Sequence, residues 1–231
     1  MSTELKFIEH FVPNYTKGHE RPVKFGILHF VSCRYYDGYK DDPYNMEGIL
    51  KLFDENGAKY QFSCHYIISR EGTVYQLVRL EDTSWNAGKS VIAIPQYMES
   101  LNPDSIAIEL VGMEGDNYTT AQYQSLAKLA VHIEDEVLKL NIGQIDHWVG
   151  HDWVSGEITV KLGMKEKSKM KVDPGILFDW DVFLREKYRV RLDTEVRSGA
   201  KHELKAEIVA DMKAGECLSL WFSKVFNGKK K

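Results

Sequence analysis

Short runs of β-branched and aromatic residues, separated by segments of helical period, constrain this chain more than any other feature of its sequence. KFGILHFV (24–31), YIIS (66–69), TVYQLV (73–78), SIAIELV (105–111) and residues 145–150 are of strand length and bounded by turn-forming residues. Arg70-Glu71-Gly72 between the second and third runs predicts a hairpin turn. From Thr119 to Leu140 the pattern changes. Leu126, Leu129, Ala130, Ile133 and Val137 recur every three or four residues behind two candidate N-caps, Thr119 and Thr120, which predicts an amphipathic helix. Shorter helices are expected from Met46 to Glu55, ended by Asn56-Gly57, and from Trp180 to Tyr188, capped by Asp179. This mingling predicts an α/β fold, a mixed central β-sheet flanked by helices, over residues 1–190. Beyond it, Leu204, Ile208, Met212, Leu218, Phe222 and Val225 fall at helical steps. Residues 191–231 are therefore expected to form a C-terminal helical extension, packed on or appended to the first domain.

Composition removes several function classes. A count of 30 basic and 34 acidic residues leaves a formal charge of −4, with no global positive field for a nucleic acid or an anionic membrane. No run of 18 apolar residues exists, so no membrane span is expected. Cys33, Cys64 and Cys217 are too few for a disulfide framework and read as reduced thiols. The first residues lack the basic-then-apolar order of a secretory signal, so the cytoplasm is expected, with release or export by a non-standard route as the alternative. The oligomeric state stays open.

Among the histidines, context selects a few. His29 interrupts the apolar run Ile27-Leu28-His29-Phe30-Val31, where a buried polar group needs a hydrogen bond or a metal. His151 follows Gly150, where a strand gives way to a loop. His147 lies four residues earlier, but on a strand that separation is about 13 Å, at roughly 3.3 Å per residue. The two cannot then share one ion. His65 is a second choice to His29, whereas His10, His19, His132 and His202 read as solvent-titrating. Asp173 precedes Pro174-Gly175, which leaves its carboxylate little freedom. Two imidazoles and a carboxylate suit a catalytic zinc with a fourth position open for water, although a solvated turn aspartate is an equal alternative. Glu109 lies within SIAIELV; exposed, it is a surface residue, and buried beside a metal it is a base.

The ordered motifs ILHF (27–30), SCHYIISREGTVYQLV (63–78), WNAG (85–88), NPDSIAIELVG (102–112), VGHD (149–152) and KVDPGILFDW (171–180) resemble the zinc-dependent N-acetylmuramoyl-L-alanine amidases, a superfamily shared with peptidoglycan recognition proteins. The resemblance covers about residues 24–188 and is strongest, through IELVG and KVDPG, to the AmpD type of cell-wall recycling. It implies one zinc ion per chain on His29, His151 and Asp173, an acid/base role for Glu109 and a catalytic role for Lys171. Asn102, Trp85 and Asn86 fall at positions near the peptide-binding cleft. Residues 1–190 would then be the catalytic domain.

Three departures stand out. Asn86 replaces a histidine common among relatives, Cys64 stands where some branches carry a catalytic tyrosine, and the interval from His151 to Asp173 is long. That interval holds Lys161, Lys165, Lys167 and Lys169 against Glu157 and Glu166, a basic flap or a solvated charged loop. The implied activity is hydrolysis of the amide between N-acetylmuramic acid, or its anhydro form, and L-alanine, with peptidoglycan fragments or peptidoglycan as the partner. A lytic amidase on intact wall and a non-catalytic peptidoglycan-binding module are the alternatives.

Overall fold

The computed structural model describes residue 5 and residues 7–93 and 97–198. The chain divides into two units, residues 1–187 and 188–231. The expected C-terminal extension lies outside the described residues from residue 199 onward.

Among the described residues, ten strands form three sheets. They are β1 (Phe7–Glu9), β2 (Tyr15–Thr16), β3 (Val23–Val31), β4 (Tyr66–Ile68), β5 (Val74–Gln76), β6 (Thr83–Ser84), β7 (Val91–Ala93), β8 (Tyr97–Glu99), β9 (Ser105–Val111) and β10 (Gly143–Gly150). The central sheet runs β1-β5-β4-β9-β3-β10, parallel at every pairing except the β4–β5 hairpin. Gly72, at φ +84°, makes the predicted hairpin turn. Two small antiparallel ladders, β2–β6 and β7–β8, stand apart from it. The expected mixed sheet is thus present.

The helices are α1 (Met46–Lys51), α2 (Gly57–Tyr60), α3 (Thr120–Lys139), α4 (His151–Ser155), α5 (Glu157–Lys161) and α6 (Trp180–Ser198). Thr119 and Gln122 close a reciprocal capping box at the start of α3, satisfying N–H groups that the first turn leaves free. Asn56-Gly57 does not end the early helix. A π-helical turn at Leu52–Asn56 leads into α2, and the left-handed residue that closes it is Gln61 (φ 56°). The reason is packing: Gly57 leaves room for Asn14, whose Nδ2 donates to Phe53 O at 3.0 Å. Helix α6 also continues ten residues past the expected Tyr188, to Ser198. No helix among the described residues is long and apolar enough to cross a membrane.

Period-two alternation divides the central strands between two cores. Leu28, Ile106, Ile108 and Leu110 pack with α3 residues Leu126, Leu129, Ile133 and Val137. Val31, Ala107 and Val111 face the opposite way, toward Ile49, Phe53 and Cys64. At the edge, Trp148 of β10 lies over Gly26, its register partner on β3. Trp148 Nε1 donates to Glu134 Oε1 (2.8 Å), which also pairs with buried Lys187 (2.7 Å). A Cβ on Gly26 would stand 2.2 Å from the indole. Gly26→Ala is therefore expected to cost about 2–3 kcal/mol and to lower Tm by several degrees. A thermal melt indistinguishable from wild type would refute this packing.

Candidate metal centre

His29 and Glu109 are register partners on adjacent parallel strands β3 and β9, so both side chains leave the same face at one level. This is the face opposite α3. His151 opens α4 immediately after β10, whose last residue, Gly150, pairs with Leu28. Asp173 arrives from a distant turn that is pinned twice: Asp152 N donates to Asp173 O (2.8 Å), and Tyr118 Oη donates to Pro174 O (2.7 Å). The carboxylate of Asp173 thereby has the restricted freedom its sequence context suggested.

The three side chains converge and are all buried, with their ligand atoms within 4.8 Å of one another. Asp173 Oδ2 lies 3.0 Å from His29 Nδ1 and 3.0 Å from His151 Nδ1. His151 Nε2 faces the Ala87 carbonyl at 3.3 Å, which assigns the ring proton to Nε2. The Nδ1 lone pair then meets a carboxylate oxygen, a contact that needs a proton or a cation between the two acceptors. A metal ion fits that requirement, and the donor set is one that zinc takes with a position left open. His29 Nε2 is buried with no hydrogen-bond partner.

Electrostatics separate the carboxyls. Burial alone would raise Asp173, but the charges and hydrogen bonds of His151 and His29 hold it well below the usual carboxylate range. Glu109 goes the other way, to about 7, because of burial, with Asp173 adding and His29 and Lys171 opposing. Its Oε2 is buried and without a partner. Asp152 also rises to about 7, through burial and then the charge of Asp173. Lys171 is exposed, and its backbone N donates to Ser155 O at 3.2 Å.

The remaining expected site residues hold protein groups. Asn102 Oδ1 accepts from the backbone N–H of Asn86 (3.1 Å) and of Ala87 (2.6 Å), clamping the loop whose carbonyl orients His151. Asn86 Nδ2 donates to Ser84 and Ser105. Trp85 Nε1 donates to Thr16 Oγ1 at 3.0 Å. His65, the second choice, is excluded by its partners: Nδ1 accepts the Ala107 N–H at 3.0 Å and Nε2 donates to Asp82 O at 3.0 Å. Burial lowers its pKa to about 3. His19 and His132, expected in solvent, are both partly buried. Both nitrogens of His19 meet backbone carbonyls, and His132 packs on Phe7, its proton affinity lowered by burial. Cys64 is a buried thiol pushed up by burial and then by Glu109, in keeping with a small apolar side chain.

Sequence reasoning missed the carbonyl of Ala87, which no residue identity reveals, and Ser155, which belongs to no motif. It also treated the interval before Asp173 as one loop, whereas α5 and a 3₁₀ turn at Lys167–Lys169 occupy it.

The family model for N-acetylmuramoyl-L-alanine amidase matches residues 19–176. The 1,6-anhydro-N-acetylmuramyl-L-alanine amidase AmpD of Haemophilus influenzae is 32% identical over 163 residues, 68% of this chain and 79% of that protein. Its counterpart from Escherichia coli is 33% identical over 129 residues, 54% and 58% of the two chains. A crystal structure of a selenomethionine derivative of AmpD superposes with a TM-score of 0.59 at 26% identity, covering 78% of this chain and 93% of that one. Family match, sequence identity and superposed fold agree, and the chain belongs to the N-acetylmuramoyl-L-alanine amidase family.

Proposed function

We infer that the chain hydrolyses the amide between N-acetylmuramic acid, in its anhydro form, and the L-alanine of a stem peptide, as a cytoplasmic amidase of cell-wall recycling with one zinc ion. The observation that carries this reading is the convergence of two imidazole Nδ1 atoms on one oxygen of Asp173, beside a glutamate whose Oε2 is buried and unpartnered. The AmpD relatives, 1,6-anhydro-N-acetylmuramyl-L-alanine amidases by name, support the substrate. Buried, unpaired Cys33 and Cys64 suit a reducing compartment.

His29, His151 and Asp173 would hold zinc, which when bound supplies a Lewis acid for a carbonyl and acidifies water. Glu109 then has the base's role. Its Oε2, buried and without a partner in the fold, takes a proton from the attacking water and returns it to the leaving amine. Lys171 brings a cation to the same side as Glu109 and would stabilise the oxyanion that develops during attack. Asn102 acts through the loop of Asn86 and Ala87, keeping His151 in one orientation. Trp85 and Asn86, on that loop, would border the peptide.

Chelator-stripped protein restored with zinc is expected to release a peptide beginning at L-alanine from soluble anhydro-muropeptide, as read by mass spectrometry. Glu109→Gln and Lys171→Ala are each expected to lower kcat by about 100-fold or more with zinc content unchanged. Absence of cleavage by zinc-loaded wild type, on this substrate and on intact peptidoglycan, would sink the amidase reading.

Proton linkage gives a second test, on the metal-free protein. Folded Glu109 and Asp152 keep their protons to about 7, against ordinary values of 4.5 and 3.8. The folded chain binds more protons than the unfolded one across that window, so its stability falls as pH rises through it. Tm is expected to drop between about pH 5 and about pH 7.5, and Glu109→Gln with Asp152→Asn should flatten that dependence. A double variant that keeps the full slope would contradict the assignment of both carboxyls.

A further inference from the structure

Ser155 joins the segments that carry three lysines, holding Lys165 by its ammonium and Lys89 and Lys171 by backbone atoms. Its Oγ accepts from Lys165 Nζ and donates to Lys89 O at 2.6 Å, while its carbonyl accepts from Lys171 N at 3.2 Å. The side chain of Ser155 is buried, so this junction is fixed. The backbone of Lys165 is fixed as well, since Met164 N and Lys165 N both donate to Thr159 O, and Thr159 Oγ1 returns to Gly156 O at 2.7 Å. Ser155 is also the last residue of α4, the helix that His151 opens.

Two of the neighbouring lysines are charge-compensated. Lys161 pairs with Glu157 at 3.2 Å and Lys169 with Glu166 at 3.8 Å. Among the described residues, no ion pair joins Lys89, Lys165 or Lys171 to an acidic residue. Asp173, the one carboxylate whose charge reaches Lys165, is already shared by two imidazoles. Lys165 is half-buried, and both that burial and the charges of Lys171 and Lys89 disfavour its ammonium form, lowering it to about 8. Lys165 is the half-buried member of the three, and its ammonium has the Ser155 hydroxyl but no carboxylate as a hydrogen-bond partner.

We propose that Lys165, with Lys89 and Lys171, forms a carboxylate-binding wall beside the metal centre that selects peptides bearing free carboxylates. The proposal rests on the amidase reading for the identity of the peptide, a stem peptide beginning with L-alanine. Lys165 is the specificity-determining member, because Lys89 contributes to the junction through its backbone and Lys171 serves the reaction.

Titration calorimetry with the product peptide tests this without turnover. The probes are one stem tripeptide beginning with L-alanine, with its carboxylates free or amidated, and the protein is the zinc-loaded full chain. Wild type is expected to bind the free form about tenfold more tightly, a preference that weakens with salt. Lys165→Gln should remove most of that preference and Lys165→Arg should retain it, as should Lys167→Gln, which removes a charge outside the junction. Equal Kd values for the two peptides in wild type overturn the wall, as does a Lys165→Gln variant that weakens both peptides alike. Because binding is read directly, the outcome stands apart from the amidase reading, which falls only when zinc-loaded protein fails to cleave.

Discussion

One oxygen of Asp173, lying 3.0 Å from each of two buried imidazoles, is the interaction on which the rest of the structure depends. An imidazole lone pair held against a carboxylate away from water is unfavourable unless a proton or cation completes the set, and three separate segments of the fold come together to make it. His29 comes from the middle of the sheet, His151 from the end of its edge strand, and Asp173 from a turn 22 residues further on. The surrounding groups answer to that charge. Burial, with the charge of Asp173 added, raises the proton affinity of both Glu109 and Asp152, so an ionised carboxylate and two proton-holding carboxyls share one small volume.

Supporting contacts are correspondingly numerous. Parallel pairing of β3 with β9 sets His29 and Glu109 level, and β10 carries His151 to the same end of the sheet, where open α/β sheets place their ligands. Asn102 governs His151 at one remove, through the Ala87 carbonyl. The start of β9 is itself anchored, because Arg21 Nε donates to buried Asp104 at 2.8 Å. Ser155 plays a similar part on the other wall, where it ties the end of α4 to the lysines.

Much of this was legible before any coordinates. Period-two runs gave the strands, the capped three-and-four spacing gave α3, and a histidine inside an apolar strand marked His29 because buried imidazoles need partners. The ambiguity at Glu109 was real: strand alternation alone allows solvent or core, and only the pairing of β9 between β4 and β3 makes its face an interior one. The corrections share a cause, which is tertiary packing overriding a local signal. Asn56-Gly57 reads locally as a helix stop, but Asn14 packs over Gly57; His65 reads as a second choice to His29, but Ala107 N–H and Asp82 O take both of its nitrogens. The lysine-rich interval showed composition but not selection. Nothing in the spacing of Lys161, Lys165, Lys167 and Lys169 singles out Lys165, because that choice depends on a serine ten residues earlier in the chain.

The central claim is a mononuclear zinc site built from His29, His151 and Asp173 and bypassing the nearby thiol of Cys64. X-ray absorption at the zinc edge, on protein reconstituted with one equivalent of metal, tests it most directly. The account predicts one bound zinc per chain with only nitrogen and oxygen neighbours at about 2.0–2.2 Å. A sulfur neighbour at about 2.3 Å, or no stoichiometric binding, would contradict it.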